Sequence, residues 1–330
     1  MSAFRRSPAV ELAPFRIEPR FTQRVWGFRD LRPWYDYVAE GDPIGEVWLT
    51  GDDCLVATGP HAGKRLAELF QSHSAALLGG HAPSTDSPLL IKTIFAREKL
   101  SVQVHPDDAM ARKYGGLRGK NECWFALATE PGAKVAVGLK PGATLARVEE
   151  GIHAGTLEDS LNLVPLAVGD MIYVDTGTVH AIWPGSILLE VQQNCDLTYR
   201  MFDYGRPREL HIAKSLEAVR FTTRAGKVAP RPLRDRTVLI DVEHFRVERI
   251  AVNGARTSES LRGADKEPEL AYLFAAAGAG RVTGNGFEPV ELPARGIVAV
   301  PTASPEFVLE DTGAAEGKLD LIRITPNRPG

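Results

Sequence analysis

Short apolar runs separated by turn residues recur along most of the chain. β-Branched and aromatic residues are frequent in these runs, and glycine or proline stands close to the ends of most of them. Short runs between closely spaced turn signals are typical of an all-β sandwich or barrel. The first part of the chain is therefore predicted to form strands over residues 89–95, 100–104, 123–127, 134–137, 171–174, 187–193 and 197–201.

Helical periodicity is confined to a few segments between the predicted strands. Leu66, Leu69 and Phe70 recur at the spacing of one helical face. Asp107 or Asp108, after a proline, is suited to cap a short helix. Helices are predicted over residues 66–78, 107–114, 143–152 and 157–163.

A change of composition near residues 228–236 predicts a boundary between two domains. This segment is rich in proline and arginine, and we interpret it as a linker. We expect residues 1–228 to form a catalytic domain with helical insertions and residues 229–330 to form a C-terminal β domain. The second domain contains one histidine, His244, and no cluster of ligand-type residues, so its expected role is structural. Its strands are predicted over residues 245–252, 270–274, 280–282, 297–300 and 319–324.

The composition of the 330 residues restricts the classes of partner. With 44% hydrophobic and 25% charged residues, the chain is not of the disordered class. A net charge of −3 predicts no general attraction to nucleic acid or anionic lipid. The three cysteines are widely spaced, residues 1–6 precede no apolar stretch, and no run has the length of a membrane helix. We expect a cytoplasmic protein, monomeric or weakly homo-oligomeric, with no nucleic acid or membrane partner.

The predicted strand over residues 100–104 has one polar face that continues into His105. Side chains alternate between the two faces of a strand, so Ser101, Gln103 and His105 point the same way. Leu100, Val102 and Val104 are expected to point the other way, toward a packed layer. A strand with this pattern lines a polar cavity inside a barrel.

A second segment carries a pattern typical of metal-binding barrels. Residues 169–180 read Gly-Asp-Met-Ile-Tyr-Val-Asp-Thr-Gly-Thr-Val-His, which resembles the second cupin motif, G-x5-P-x-G-x2-H, with Asp175 in place of proline. The histidine of that motif, here His180, is a metal ligand. The first cupin motif is usually H-x-H followed closely by glutamate, whereas here Gln103 replaces the first histidine and Glu122 comes after an inserted loop and helix. Histidine and carboxylate ligands that leave a position open suit catalytic zinc.

These residues, taken in order, resemble the type I mannose-6-phosphate isomerase family in its short bacterial form. The resemblance runs through most of the chain and is loose in the C-terminal third. The matching segments are Val25-Trp26-Gly27, Ile44-Gly45-Glu46-Val47-Trp48, Leu90-Ile91-Lys92, residues 100–108, Gly119-Lys120-Asn121-Glu122-Cys123-Trp124, residues 177–182 and residues 190–203.

The resemblance implies a fold, an activity and a set of site residues. The implied fold is mainly β, with cupin (jelly-roll-like) β-barrels and short helical insertions. The implied enzyme of carbohydrate metabolism interconverts mannose 6-phosphate and fructose 6-phosphate through an enediol(ate), with a small sugar phosphate as its partner and one Zn²⁺ ion per chain. The implied residues are the zinc ligands Gln103, His105, Glu122 and His180, the catalytic Arg200, Glu190 and Lys120, and the substrate-binding Ser101 and Lys92.

The chemistry of an aldose–ketose isomerisation fits these side chains. A proton moves between C1 and C2, so the site needs a base and a positive group for the developing oxyanion. Arg200 offers permanent positive charge, and a partly buried Glu190 offers a base. Lys92 stands in an apolar run, and because a buried lysine is rare unless it is paired or functional, it is a candidate site residue. Arg200 could instead form a salt bridge with Asp203 or Asp196.

Two other functions remain open from the sequence. A cupin barrel could hold iron or manganese and carry out oxygen chemistry, although Gln103 and Glu122 weigh against it. A sugar-binding regulatory cupin could use the same site only to sense a ligand. Metal analysis with an oxygen-uptake assay separates the first alternative from an isomerase, and turnover of mannose 6-phosphate separates the second.

Overall fold

The computed structural model describes residues 12–79, 86–263, 266–313 and 318–327. Residues 1–6, the basis of the prediction about a leader segment, lie outside this range. Among the described residues, no helix is long and apolar enough to cross a membrane. The helices are α1 (Leu66–Leu78), α2 (Asp108–Lys113), α3 (Leu145–Ala154), α4 (Ile212–Ala218) and α5 (Ser258–Arg262), and a 3₁₀ turn covers Leu157–Ser160.

Strands make up most of the regular structure. The first twelve are β1 (Phe15–Ile17), β2 (Arg20–Phe28), β3 (Ile44–Trp48), β4 (Leu89–Ala96), β5 (Val102–Val104), β6 (Glu122–Thr129), β7 (Lys134–Leu139), β8 (Leu161–Pro165), β9 (Met171–Val174), β10 (His180–Ile182), β11 (Ser186–Gln193) and β12 (Tyr199–Phe202). The remainder are β13 (Gly226–Val228), β14 (Arg231–Pro232), β15 (Thr237–Asp241), β16 (Phe245–Val252), β17 (Ala255–Thr257), β18 (Ala271–Ala277), β19 (Gly280–Gly284), β20 (Val290–Leu292), β21 (Ile297–Val300), β22 (Phe307–Asp311) and β23 (Leu319–Pro326). The predicted mainly β fold is confirmed.

Most of the predicted elements are present, and one prediction is wrong. Helix α1 has the predicted bounds, and Asp107 caps α2 by accepting a hydrogen bond from the Met110 N–H at 2.9 Å. The segment 157–163 is not a helix, because only its first turn is helical and the chain then enters β8. β8 pairs with the edge of β7, which supplies partners for backbone groups that a helix would have satisfied internally.

The chain divides into two compact units. One contains residues 21–48 and 89–229, and the other contains the described residues within 12–20, 49–88 and 230–327. The boundary between residues 229 and 230 lies one residue from the predicted division. The described residues within 12–20 and 49–88 belong to the same unit as the C-terminal part. For the first of these segments the connection is the pairing of β1 with β21 over Phe15–Ile17. That pairing joins residues about 280 positions apart, which no local pattern in the sequence indicates.

The first unit, residues 21–48 and 89–229, contains two antiparallel sheets with a shared core. One sheet has the order β13-β9-β6-β11-β4-β3-β2, and the other has the order β12-β5-β10-β7-β8. Ile94 and Trp124 from the first sheet pack in one cluster with Val137 and Ile182 from the second. The opposite face of the second sheet is covered by α3 and α4, which contribute Val148 and other apolar residues to a separate cluster. The unit is therefore a jelly-roll-like barrel with helices on one side.

A glycine allows the close packing of β2 and β3 at one edge of this barrel. A methyl group on Gly27 would lie 2.2 Å from the carbonyl carbon of Ile44, a distance no Cβ atom tolerates. The backbone of β3 thus lies directly against β2. This contact places Arg24 and Glu46 side by side in the barrel wall.

The second unit repeats the two-sheet arrangement. Its sheets have the orders β1-β21-β18-β23-β16-β15-β14 and β17-β22-β19-β20. Leu273, Val298 and Leu321 from the larger sheet pack against Val282 and Leu309 from the smaller. Its interior thus contains an apolar core between the two sheets, and the structural role of this unit stays a prediction.

Candidate metal centre and catalytic cavity

Three of the four predicted metal ligands form a buried cluster in the first unit. Ligand atoms of His105, Glu122 and His180 all lie within 4.8 Å of one another. The Nε2 atom of His105 is 3.4 Å from Glu122 Oε2, and the Nε2 atom of His180 is 3.3 Å from Glu122 Oε1. Segments far apart in the sequence therefore converge on one point.

The positions of these residues follow from the strand pairing. His180 is directly opposite Gln103 on the antiparallel strands β10 and β5, and His105 immediately follows β5. Glu122 begins β6 in the other sheet, where it pairs with Val174 of β9. The predicted alternation is confirmed for Val102 and Val104, which pack in the helix-covered cluster. The prediction is wrong for Leu100, which packs between the two sheets and lines the cavity, because it precedes β5 and the alternation of that strand does not extend to it.

Main-chain carbonyl groups orient both imidazole rings. The Nδ1–H of His105 donates to the carbonyl oxygen of Leu197 at 3.0 Å, and the Nδ1–H of His180 donates to that of Thr178 at 2.9 Å. Burial, together with the positive charge of Lys120, lowers the pKa of His105 to about 3, and burial lowers the pKa of His180. Both rings are thus neutral, and each directs an unprotonated Nε2 toward Glu122.

This donor set fits a divalent cation. The Oε1 atom of Glu122 is fully buried and accepts no hydrogen bond from the described residues. The two imidazole lone pairs and the carboxylate face one another, and no proton lies between them. Burying these electron-rich atoms together is unfavourable unless a cation balances them. Zinc bonds of about 2.1 Å in tetrahedral geometry separate neighbouring ligand atoms by about 3.4 Å. The separations of 3.3 and 3.4 Å between Glu122 and the two imidazole nitrogens have this size.

The amide of Gln103 lies beside the cluster with its nitrogen toward it. The Nε2 atom of Gln103 is 3.1 Å from Nε2 of His180, and its Oε1 accepts a hydrogen bond from Ser101 at 3.2 Å. The two ends of an amide are assigned from such contacts, and a half-turn exchanges them. The role of Gln103 as an oxygen ligand therefore stays a prediction.

A cavity of about 550 Å³ opens beside this cluster within the same unit. Six of the nine predicted site residues line it, and the other three form the cluster in contact with Gln103 and Lys120. The lining carries five basic and three acidic side chains, so it favours an anionic ligand. The charged lining residues are Arg24, Lys92, Lys120, Arg200, Arg208, Glu46, Glu190 and Asp196.

Lys120 joins the cluster to the cavity. Its Nζ lies 2.8 Å from Glu122 Oε2 and 3.2 Å from His105 Nε2, and it is buried. Burial opposes its charge, but the carboxylates of Glu122 and Glu190 outweigh burial and raise its pKa. Lys120 is therefore a charged donor at the wall of the cavity.

Lys92 is buried between two carboxylates. Its Nζ is 3.1 Å from Oε1 of Glu46 and 2.9 Å from Oε2 of Glu190. The Lys92–Glu190 contact follows from their direct pairing on β4 and β11. Burial, together with the charge of Glu122, raises the pKa of Glu190 in spite of the neighbouring lysine. Lys92 is therefore a buried and paired lysine at the wall of the cavity, and its role in binding substrate stays a prediction.

Arg200 faces the cavity without a carboxylate partner. It pairs with Gln103 across β12 and β5, so both side chains lie on the same face. Its Nη1 donates to the carbonyl oxygen of Glu209 at 2.8 Å. Among the described residues, no carboxylate oxygen lies within 4 Å of its guanidinium group. The alternative pairing of Arg200 with Asp203 or Asp196 is therefore not formed.

Asp203 is instead occupied by two other arginines. Arg208 binds both of its oxygens, at 2.7 and 2.6 Å, and Arg206 approaches Oδ1 at 3.2 Å. Arg208, Arg24 and Glu46 also line the cavity, although none of them was a predicted site residue. Glu46 belongs to a quoted motif and stands in an otherwise apolar strand, which was a usable signal. Arg208 lies in a loop with several charges and has no such signal.

The family model, the similar sequences and the similar structures all belong to one family. Residues 15–135 match the family model for phosphomannose isomerase type I, catalytic domain. A Bacillus subtilis protein named probable mannose-6-phosphate isomerase GmuF is 30% identical over 319 residues, covering 91% of this chain and 96% of that protein. The mannose-6-phosphate isomerase of Streptococcus mutans is 32% identical over 284 residues, covering 82% and 87% respectively.

A solved structure extends the similarity to the fold of the whole chain. The crystal structure of the mannose 6-phosphate isomerase from Bacillus subtilis superposes with a TM-score of 0.82 at 27% identity. The superposition covers 95% of this chain and 99% of that chain. The predicted cupin architecture is confirmed by this match.

Proposed function

The chain belongs to the type I phosphomannose isomerase family, and on that premise we propose that it interconverts mannose 6-phosphate and fructose 6-phosphate through an enediol(ate), with one Zn²⁺ ion per chain. The observation that carries the proposal is the buried His105–Glu122–His180 cluster at the wall of a cavity rich in lysine and arginine. Basic side chains suit the phosphate of a hexose phosphate, and the cluster suits a metal that acts on its hydroxyl and carbonyl oxygens.

We assign the metal to Gln103, His105, Glu122 and His180. When bound there, zinc supplies a Lewis acid that polarises a substrate oxygen or orients a water molecule. The Gln103 amide would use its oxygen for this purpose. This requires the half-turn of the amide, which directs its oxygen toward His180 and its nitrogen toward the Ser101 hydroxyl.

Arg200 is assigned to the negative charge that develops during the reaction. The proton on C2 of the aldose leaves, and the electron pair moves onto the carbonyl oxygen at C1 to give the enediol(ate). A guanidinium without a carboxylate partner is free to stabilise that oxygen, and it stays charged at working pH. Lys120 is assigned to hold O1 or O2 beside the metal ligands.

Glu190 is assigned to move the carbon-bound proton. It would take the proton from C2 and return it to C1, while the hydroxyl proton on O2 passes to O1. The two transfers together restore the carboxylate and yield the ketose. Burial raises the pKa of Glu190, which makes it a stronger base than an exposed glutamate. Lys92 and Ser101 are assigned to bind the substrate from the wall of the cavity.

The partner we propose is a dissolved sugar phosphate, and the cytoplasm is the proposed compartment. Cys54, Cys123 and Cys195 form no disulfide, as expected where thiols stay reduced. We further propose a monomer or weak homo-oligomer and no nucleic acid partner.

A coupled assay on mannose 6-phosphate, with zinc or a chelator added, tests the proposal. We expect turnover that a chelator removes and zinc restores. Two histidines and one carboxylate also form the ligand set of iron oxygenases, so the metal content and oxygen uptake are measured in parallel. Bound iron with oxygen consumption and no isomerisation would overturn the proposal.

A further inference from the structure

Four charged side chains form a continuous row in the wall of the cavity. Arg24 approaches Glu46 at 2.8 Å, Glu46 approaches Lys92 at 3.1 Å, and Lys92 approaches Glu190 at 2.9 Å. Charges alternate along the row, and its last three members are nearly inaccessible to solvent. Lys92 therefore divides its charge between two carboxylates, of which only Glu190 has an assigned role in the reaction.

In both Glu46 and Glu190, the carboxylate oxygen that does not contact Lys92 accepts a hydrogen bond from an indole N–H. Trp48 donates to Oε2 of Glu46 at 2.9 Å, and Trp124 donates to Oε1 of Glu190 at 2.9 Å. Each glutamate thus has one oxygen held by a tryptophan and the other directed at Lys92. Glu46 is held more firmly than Glu190, because Arg24 also binds its Oε2.

We propose that Glu46 is a positioning residue for the isomerase reaction, which anchors the Lys92 ammonium so that Glu190 is only one of its two counter-ions. This inference rests on the proposed function of the cavity. Glu46 acts through Lys92 rather than on the substrate. The glutamate that moves the proton thereby stays in place without being locked into an exclusive ion pair.

The charges around the row give the direction of the effect. Glu190 faces Lys92, Lys120 and Glu122, and Glu46 faces Lys92 and Arg24. If Glu46 were neutral, the full charge of Lys92 would favour the ionised form of Glu190, and the repulsion from a second carboxylate would disappear. Both changes make Glu190 a weaker base. The ammonium would also move toward Glu190 and away from its present position.

The test is Glu46→Gln in the zinc-loaded enzyme, with kcat and KM measured across pH. We expect kcat at neutral pH to fall about tenfold or more, since displaced catalytic groups lose up to about a hundredfold. The acidic limb of the pH profile should move to lower pH, and kcat should change more than KM. Glu40→Gln, an exposed glutamate outside the cavity, is the matched control and should behave as wild type.

A double-mutant cycle separates positioning from a general effect on folding. In a Lys92→Met background, adding Glu46→Gln should change kcat by less than about twofold, because its intermediary is gone. Effects that multiply independently would overturn the inference, as would a Glu46→Gln enzyme with an unchanged pH profile. If wild type fails to isomerise mannose 6-phosphate, the proposed function fails instead.

A second variant decides the question if Glu46→Gln does not fold. Glu46→Asp keeps the charge and shortens the side chain by one methylene group. We expect it to retain the acidic limb of the wild-type profile and to lose kcat, because Lys92 is displaced but still has two counter-ions. A Glu46→Asp enzyme with wild-type kcat would overturn the inference.

Discussion

Arg200 and Gln103 stand directly opposite each other on two antiparallel strands, and both side chains point into the same cavity. The register of β12 against β5 thus fixes the distance between the proposed oxyanion-stabilising group and the proposed metal site. A guanidinium on a strand is held more rigidly than one on a loop. Arg200 is therefore preorganised with respect to the metal ligands, and its Nη1 is held by the main-chain carbonyl oxygen of Glu209.

Replacing Arg200 by lysine should reduce turnover without removing the metal. Lysine keeps the charge but has a single ammonium in place of the planar guanidinium. We expect kcat to fall by about 10²-fold, as for the loss of one oxyanion donor, with an unchanged zinc content. Steady-state kinetics and metal analysis measure the two quantities. Arg112→Lys, on the exposed side of α2, is the control, and equal kinetics for both variants would contradict the role of Arg200.

Removal of the metal should lower both activity and stability. A ligand that binds only the folded state stabilises it by about 2.7 kcal/mol at a concentration 100 times its dissociation constant. Chelation should therefore lower the Tm, and added zinc should restore it together with turnover. His180→Ala should show neither response, whereas His153→Ala, with an exposed side chain on α3, should respond as wild type. A chelator-resistant Tm in wild type would argue against a metal at this cluster.

The contribution of Glu46 to stability should decrease as the pH falls. Burial opposes its ionisation, but the charges of Lys92 and Arg24 prevail and lower its pKa to about 2. Because its pKa in the folded state lies below that in the unfolded chain, its stabilisation is present above about pH 4.5 and is lost toward pH 2. The difference in unfolding free energy between wild type and Glu46→Gln should shrink by about 1 kcal/mol from pH 6 to pH 3.5. Urea unfolding at both pH values measures it, and a constant difference would contradict the assignment.

Gly27→Ala should destabilise the first unit at the β2–β3 contact. The added methyl group would overlap the main chain of Ile44, and a backbone neighbour cannot move as a side chain does. We expect a loss of about 3 kcal/mol or more of unfolding free energy, the upper range for overpacking. Gly41→Ala is the control, because its Cβ would meet only a side-chain atom of Gln23 at 3.4 Å. Thermal unfolding of both variants gives the comparison, and equal Tm values would show that β3 can shift.

Much of the site could be predicted from the strand pattern, because the alternation of side chains between the two faces of a strand depends only on local sequence. Gln103 and His105 share a face in the sequence, and the structure places both beside His180. Glu190 lies on β11, which pairs with β4 and with β6, the strand that begins at Glu122. These two pairings place Lys92 and Trp124 next to Glu190. The choice of Glu122 as a ligand came from a family resemblance, since a glutamate at the start of a strand has no distinctive local pattern.

Long-range contacts account for what the sequence did not indicate. The row from Arg24 to Glu190 depends on the order β11-β4-β3-β2, and a pattern along one strand does not specify its neighbours. The strand β1 likewise depends on the distant edge of β21, with which it pairs. The strand β8, at residues 161–165, depends on the edge of the adjoining strand β7. Arg208 is held at the cavity by its bidentate contact with Asp203. This contact forms only when the loop is folded.

The orientation of the two imidazoles has a consequence for sequence variation. The carbonyl groups that receive their Nδ1 protons belong to Leu197 and Thr178, and every amino acid has such a group. The side chains at positions 178 and 197 can therefore diverge among relatives while the tautomer of each histidine stays the same. Mutation of Thr178 or Leu197 would therefore leave the histidine tautomers that the metal site requires unchanged.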